Sequence, residues 1–192
     1  MIGSLRHHGQ VPWDDDADIF IAQENRKKTI NILESIPNYI APRHGNLNKF
    51  YNIEQSLSVP GYSKRKCGWP MVDIIFYETV NSTHILHRGA SLHFYKKKHL
   101  FPPRYRVFWN WILPVPRKVE SIVEKTYKTK LSTCQDTIWN HRKQNVLHEH
   151  PKEVNCSKLE QFFPFVHKVL KNKECREILV KDQRILRDIP CY

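Results

Sequence analysis

Asp14, Asp15, Asp16 and Asp18 fall within five positions of a 192-residue chain whose formal net charge is +12. Carboxylates packed this closely repel one another, so the cluster calls for a compensating cation. Pro12 and Trp13 precede it and the apolar Ile19-Phe20-Ile21 follows, which argues against a loose acidic tail. A strand that begins at the cluster puts Asp14, Asp16 and Asp18 on one face, because side chains alternate with period two. Three oxygen donors on one face suit a hard divalent cation, Mg²⁺ or Mn²⁺. The competing reading is a solvated acidic turn capping the helix that follows. Asp73 poses the same problem alone, inside the apolar run Trp69-Pro70-Met71-Val72-Asp73-Ile74-Ile75-Phe76-Tyr77. An ionised carboxylate there is costly unless it is partnered or lies at a sheet edge. A salt bridge to a basic residue would answer the cost, and so would a metal shared with the first cluster.

Other groups with chemistry to offer lie close by. Arg6, His7 and His8 stand just upstream, and a turn at Gly9-Gln10 would fold them back over the acidic cluster. A guanidinium binds phosphate through paired hydrogen bonds in a fixed plane. Arg6 is therefore the candidate phosphate contact, against an ion pair with Asp14 or Asp15. Histidines beside a carboxylate cluster serve more often as hydrogen-bond partners of the ligands than as ligands. Asp15 alternates to the other face and reads as an anchor for the turn. Trp13 reads as core packing beneath the loop rather than as a base-stacking platform. The run Lys64-Arg65-Lys66 reads as a solvated rim.

The elements that must position these groups are legible from periodicity. Residues 18–22 read as a short buried strand and 24–35 as a helix, with Ile30, Leu33 and Ile36 at helical spacing and Pro37 ending it. Residues 47–53 and 56–59 alternate like antiparallel strands, and 69–77 and 84–88 like strands. Pro102-Pro103 and Pro114-x-Pro116 bracket an aromatic stretch, and 117–127 form a helix with Val119, Ile122, Val123 and Tyr127 on one face. Trp139-Asn140-His141 falls in an irregular segment, and short helical patterns follow near 157–163 and 175–186. No internal repeat and no low-complexity linker interrupts the chain, so it reads as one domain over 1–192.

Composition bounds the partners. Hydrophobic residues at 40% and aromatics at 11% support a folded core. No stretch approaches the roughly 20 apolar residues of a membrane span, and no signal peptide precedes the motif. The excess of 31 Lys and Arg over 19 Asp and Glu points to a polyanion: nucleic acid, nucleotide phosphates or anionic lipid. Zinc-finger spacing, RRM-like aromatics and helix-turn-helix punctuation are absent, which disfavours specific nucleic-acid binding. None of the five cysteines sits in a C-x-x-C pair, and an odd count leaves one thiol free. Cys134 and Cys156 could pair in an oxidising compartment; spacing does not decide it.

Taken together, Gly3-Ser4-Leu5-Arg6-His7-His8-Gly9 and Val11-Pro12-Trp13-Asp14-Asp15-Asp16-Ala17-Asp18-Ile19 closely resemble the signature of the LicD family, which includes fukutin and fukutin-related protein. The Trp-Pro-x-x-Asp strand at Trp69 to Tyr77 matches its second feature. Pro114-Val115-Pro116, Tyr127, Cys134, Trp139-x-His141, Cys156 and Phe163-Pro164-Phe165-Val166 look like the animal branch. The resemblance implies an α+β, nucleotidyltransferase-like fold, a mixed sheet flanked by helices. It also implies phosphotransfer from a CDP-activated donor, of ribitol phosphate or phosphocholine type, onto a glycan or glycoprotein in the Golgi lumen. Carried onto this sequence, Mg²⁺ or Mn²⁺ would sit on Asp16, Asp18 and Asp73, with Asp14 as a further ligand. Asp73 would be the base, and Arg6, His7, His8 and His141 would bind substrate. A family glycine motif that supports donor phosphates, and any membrane anchor, would stand before Met1. Their absence from this chain leaves two expectations: an N-terminally truncated enzyme, or an inactive relative that binds glycan or supports a partner.

Overall fold

The computed structural model describes residues 1–88 and 92–191. In chain order its main elements are α1 (Ile2–Arg6), β1 (Ala17–Ala22), α2 (Arg26–Glu34), β2 (Leu47–Asn52), β3 (Val72–Thr79), β4 (His84–Arg88), β5 (Leu92–Lys96), β6 (Arg104–Phe108), β7 (Trp111–Val115), α3 (Val119–Tyr127), β8 (Phe165–Lys171), β9 (Glu174–Lys181) and β10 (Arg184–Pro190). Helices combined with mainly antiparallel sheets make the chain α+β. Two compact units emerge where the sequence reads as one domain. Met1–Asp14, Lys98–Asp136 and Pro151–Tyr192 form the first, and Asp15–Lys97 with Thr137–His150 form the second.

The second unit is built on a mixed sheet in the order β2-β3-β4-β5. β1 lies parallel to β3, and the other pairs are antiparallel. Ile74, Ile75 and Phe76 of β3 are all buried, as befits a central strand covered on both faces. The Arg26 guanidinium at the start of α2 lies 4.9 Å from the Phe76 ring centre and donates to Asn48 Oδ1 at 2.8 Å. Asp73 and Lys49 are out of phase with Phe76 and Asn48, so they point to the opposite face. Tyr51, Val59, Cys67 and Met71 make a small core at one end of the sheet. Residues 18–22 form the expected strand, but it is not buried. Among the described residues β1 pairs with β3 alone, and as an edge strand it leaves Ile19 and Phe20 exposed. The run 69–77 divides as well: Gly68–Trp69 pairs with Leu57–Ser58, and only Val72 onward joins the main sheet.

In the first unit, Val115, Val119 and Val123 pack with Ile2, Leu5 and Leu131. A second cluster gathers Cys134, Cys156 and Phe165 around Trp13, Leu159 and Phe163. Trp13 therefore has the packing role expected of it, with its indole N–H on the Gln135 carbonyl at 2.9 Å. Cys134 is bonded to Cys156 and Cys175 to Cys191, leaving Cys67 free and buried in the second unit. Helix α3 buries Val119, Ile122 and Val123 as its periodicity predicts, while Tyr127 is exposed.

The helix expected over 175–186 is instead the middle of a three-stranded antiparallel sheet, β8-β9-β10. Its two-residue turns, Asn172-Lys173 and Asp182-Gln183, have positive φ at both positions (53° and 66°, 49° and 61°). That is the primed hairpin turn, which favours Asn and Asp and matches the strand twist. Cys175, Ile178 and Leu179 fall at helical spacing by coincidence, and turn chemistry overrides it. The segment around Trp139 is likewise more regular than expected, since Trp139–Asn140 pairs antiparallel with Asn145–Val146.

Candidate functional site

β1 and β3 run in register so that Asp18 lies opposite Asp73, and on the other side of β3 Lys49 lies opposite Asp73. One rung across three strands thus carries carboxylate, carboxylate and ammonium on the same face. Asp73 is buried and takes Lys49 Nζ at 3.0 and 3.3 Å through its two oxygens. This is the salt bridge that a lone acid in an apolar strand demands. The sequence offered no cue for Lys49 as the partner, because a pairing across 24 positions depends on strand register.

Two residues before Asp18, Asp16 receives His141 Nε2 at 2.9 Å. His141 Nδ1 lies 2.6 Å from Asp15 Oδ1, and the His141 backbone N–H donates to Asp15 Oδ2 at 3.1 Å. Asp15 also accepts the Trp69 indole N–H on its carbonyl at 3.2 Å. Asp15 is therefore an anchor, as its alternation suggested, and what it anchors is an imidazole. Burial alone would lower the His141 pKa. Hydrogen bonds and charge from Asp16 and Asp15 outweigh that and raise it to about 9.

Asp16, Asp73 and His141 each offer a ligand atom, and these atoms lie within 4.8 Å of one another. Two carboxylates and an imidazole form a set that divalent first-row cations accept. Asp15 holding Nδ1 is the kind of outer hydrogen bond that orients a metal-bound histidine through its other nitrogen. Asp18 shares the face and the rung but is outside that set of three. Asp14 is the last residue of the first unit, exposed, with its carbonyl accepting from Gln10 Nε2 at 3.0 Å.

Arg6, His7 and His8 belong to the first unit, and the structure gives them structural partners there. Arg6 is buried, with Nε and Nη2 donating to the Leu131 carbonyl at 3.0 and 2.8 Å and Nη2 to that of Thr133 at 2.7 Å. Backbone carbonyls thus engage the guanidinium that the sequence offers as a phosphate contact. His7 Nδ1 bonds the Pro164 carbonyl at 2.7 Å, its ring edge-on to Trp13 and Phe165. His8 Nε2 meets Glu177 Oε2 at 3.1 Å, and Arg106 Nη2 reaches the same oxygen at 2.6 Å. Glu177 is fully buried in the central strand β9. Burial would raise its pKa, but the bonds from His8 and Arg106 win and hold it low. Lys64 Nζ donates to the Glu54 carbonyl, which ties the basic run to its own turn.

No curated protein and no solved structure matches the chain. A family match covers residues 1–118, a span that contains the acidic cluster, the whole β1–β5 sheet and Asp73. The chain belongs to the LicD/FKTN/FKRP family, through that family's nucleotidyltransferase domain.

Proposed function

We propose that this chain is a metal-dependent phosphotransferase that moves a phospho-alcohol, of ribitol phosphate or phosphocholine type, from a CDP-activated donor to a glycan hydroxyl. The observation that carries this reading is the convergence of Asp16, Asp73 and His141 within 4.8 Å on the sheet face that also bears Asp18. Those three residues would hold Mg²⁺ or Mn²⁺, and the imidazole favours Mn²⁺ of the two. A cation bound there would neutralise charge on the donor pyrophosphate as its bond breaks. Asp73 accepts the proton of the attacking acceptor hydroxyl. The new P–O bond forms to the glycan oxygen, the P–O bond to CMP breaks, and CMP leaves with that electron pair. Lys49 holds the Asp73 carboxylate in place, and Asp15 holds the His141 ring. Two disulfides fit an oxidising compartment, which supports a place in the secretory pathway, the Golgi lumen by family resemblance.

One observation favours a second reading, an inactive family member that binds glycan or supports a partner. Lys49 and His141 already give Asp73 and Asp16 cationic partners from the protein itself. Calorimetric titration of CDP into the chain with Mn²⁺, and again with EDTA, separates the two. Metal-dependent binding that disappears in Asp16→Ala supports the enzyme. A folded chain that binds no CDP even with Mn²⁺ supports the second reading.

A further inference from the structure

The β6–β7 hairpin of the first unit is built inside out. Arg106 and Val115 point inward and are buried. Tyr105, Val107, Ile112 and Pro114, cross-strand partners in pairs, form the other face. That face carries no charged and no amide side chain, yet Tyr105 is 55% and Ile112 59% exposed. A half-buried antiparallel hairpin ordinarily places its polar residues there. Trp109 at the tip is 52% exposed; Trp111 (63% exposed) and Leu113 alternate onto the Arg106 side of the hairpin and are exposed as well, and Phe101 adds exposed apolar surface before its foot.

The tip is held rather than loose. Trp109 has a φ of 53°, a left-handed conformation that is a true outlier for a bulky residue. Its N–H donates to the His8 carbonyl at 2.6 Å, and its own carbonyl accepts Arg187 Nη1 at 2.6 Å. The indole rests against Gly9, where an added Cβ would lie 2.5 Å from Trp109 Nε1. A strained backbone and a glycine seat keep a half-exposed tryptophan in one place, and such outliers point to a use.

Charge identifies the partner. From Lys98 to Val119 the first unit has no Asp or Glu, and Lys98, Arg104, Arg117 and Lys118 are exposed at the foot of the hairpin. Two copies of this face would bring like charges together, which disfavours self-association. Beyond the Tyr105 hydroxyl, the face offers a sugar nothing to hydrogen-bond. Exposed Trp and Tyr beside aliphatic side chains, with Lys and Arg behind them, match the layered chemistry of a bilayer interface. We propose that the β6–β7 hairpin docks the protein peripherally on an anionic phospholipid surface, with Trp109, Trp111 and Ile112 in the interfacial layer and the basic collar on the headgroups.

Co-sedimentation of the full chain with vesicles tests this, using phosphatidylcholine alone and phosphatidylcholine mixed with phosphatidylserine. Binding is expected only with phosphatidylserine, and it should weaken when salt is raised from about 0.1 M to about 0.5 M. Trp111→Ala with Ile112→Ser should lower the bound fraction at least about tenfold, with the circular dichroism spectrum unchanged. The single Tyr105→Ser variant, at an exposed position, should reduce binding in the same direction. Equal sedimentation with both vesicle types, or undiminished binding by the double variant, would overturn the proposal. So would a dimer in light scattering that the double variant dissolves, because the hairpin would then be an interface between copies. None of these readouts depends on CDP or on metal.

Discussion

Asp73 carries a folding cost and, in the proposed site, a function as well. In a strand as apolar as β3 its carboxylate needs a cation, and Lys49 supplies one from the neighbouring strand. Removing one member of a buried ion pair typically costs about 3–5 kcal/mol, because the other charge is stranded. Lys49→Met should therefore destabilise the metal-free chain by about 3 kcal/mol in urea denaturation. Saturating Mn²⁺ should restore much of that loss if Asp73 is a ligand, since a divalent ion then replaces the missing ammonium. A variant equally unstable with and without Mn²⁺ would remove Asp73 from the proposed metal set. Asp15 makes a related point: the acid that alternation excludes from the ligand face is the one that orients the histidine on it.

Between β4 and β5, His87 and His93 are cross-strand partners with ring centres 5.7 Å apart. His87 is buried against Phe20, and neither of its ring nitrogens has a hydrogen-bond partner among the described residues. Burial first, and the charge of His93 second, lower its pKa from 6.5 to about 4. Between those values the unfolded chain binds a proton that the fold refuses. This contribution to stability is complete above pH 6.5 and is lost as pH falls toward 4. Thermal melting from pH 7 to pH 4 should accordingly show a falling Tm, with a shallower slope in His87→Leu. Identical slopes in the two proteins would mean that His87 is not the neutral buried group. At this scale periodicity located α2, β2, β3, β4 and α3, because each turns one face or both inward at its own repeat, in α2 a face that is only half-buried. It failed over 175–186, where apolar spacing permits either structure and the paired turns at Asn172-Lys173 and Asp182-Gln183 decide.

At the scale of the whole molecule the cross-links are unevenly shared. Both disulfides lie in the first unit, and the second has only the free, buried Cys67. A disulfide closing a loop of this size contributes about 3 kcal/mol. Reductant should therefore lower the stability of the first unit selectively, and hydrogen exchange should show it. Amides of β8, β9 and β10 should lose protection, while those of β2 and β3 should keep theirs. Uniform loss across both units would mean that the chain unfolds as one cooperative block.

The chemistry was legible from the residues: an acidic run that calls for a cation, a lone acid in an apolar strand, a basic surface and a family signature concentrated in the first 20 residues. Such features are local, and a few adjacent side chains suffice to state the electrostatic problem. Tertiary structure alone decided how the problem is answered. Strand register put Lys49 and Asp18 on either side of Asp73, and the fold brought His141 across more than a hundred positions to Asp15 and Asp16. It also turned Arg6, His7 and His8 onto carbonyls and a buried glutamate within their own unit. These are long-range pairings whose energies depend on burial and on register, and a local pattern holds neither.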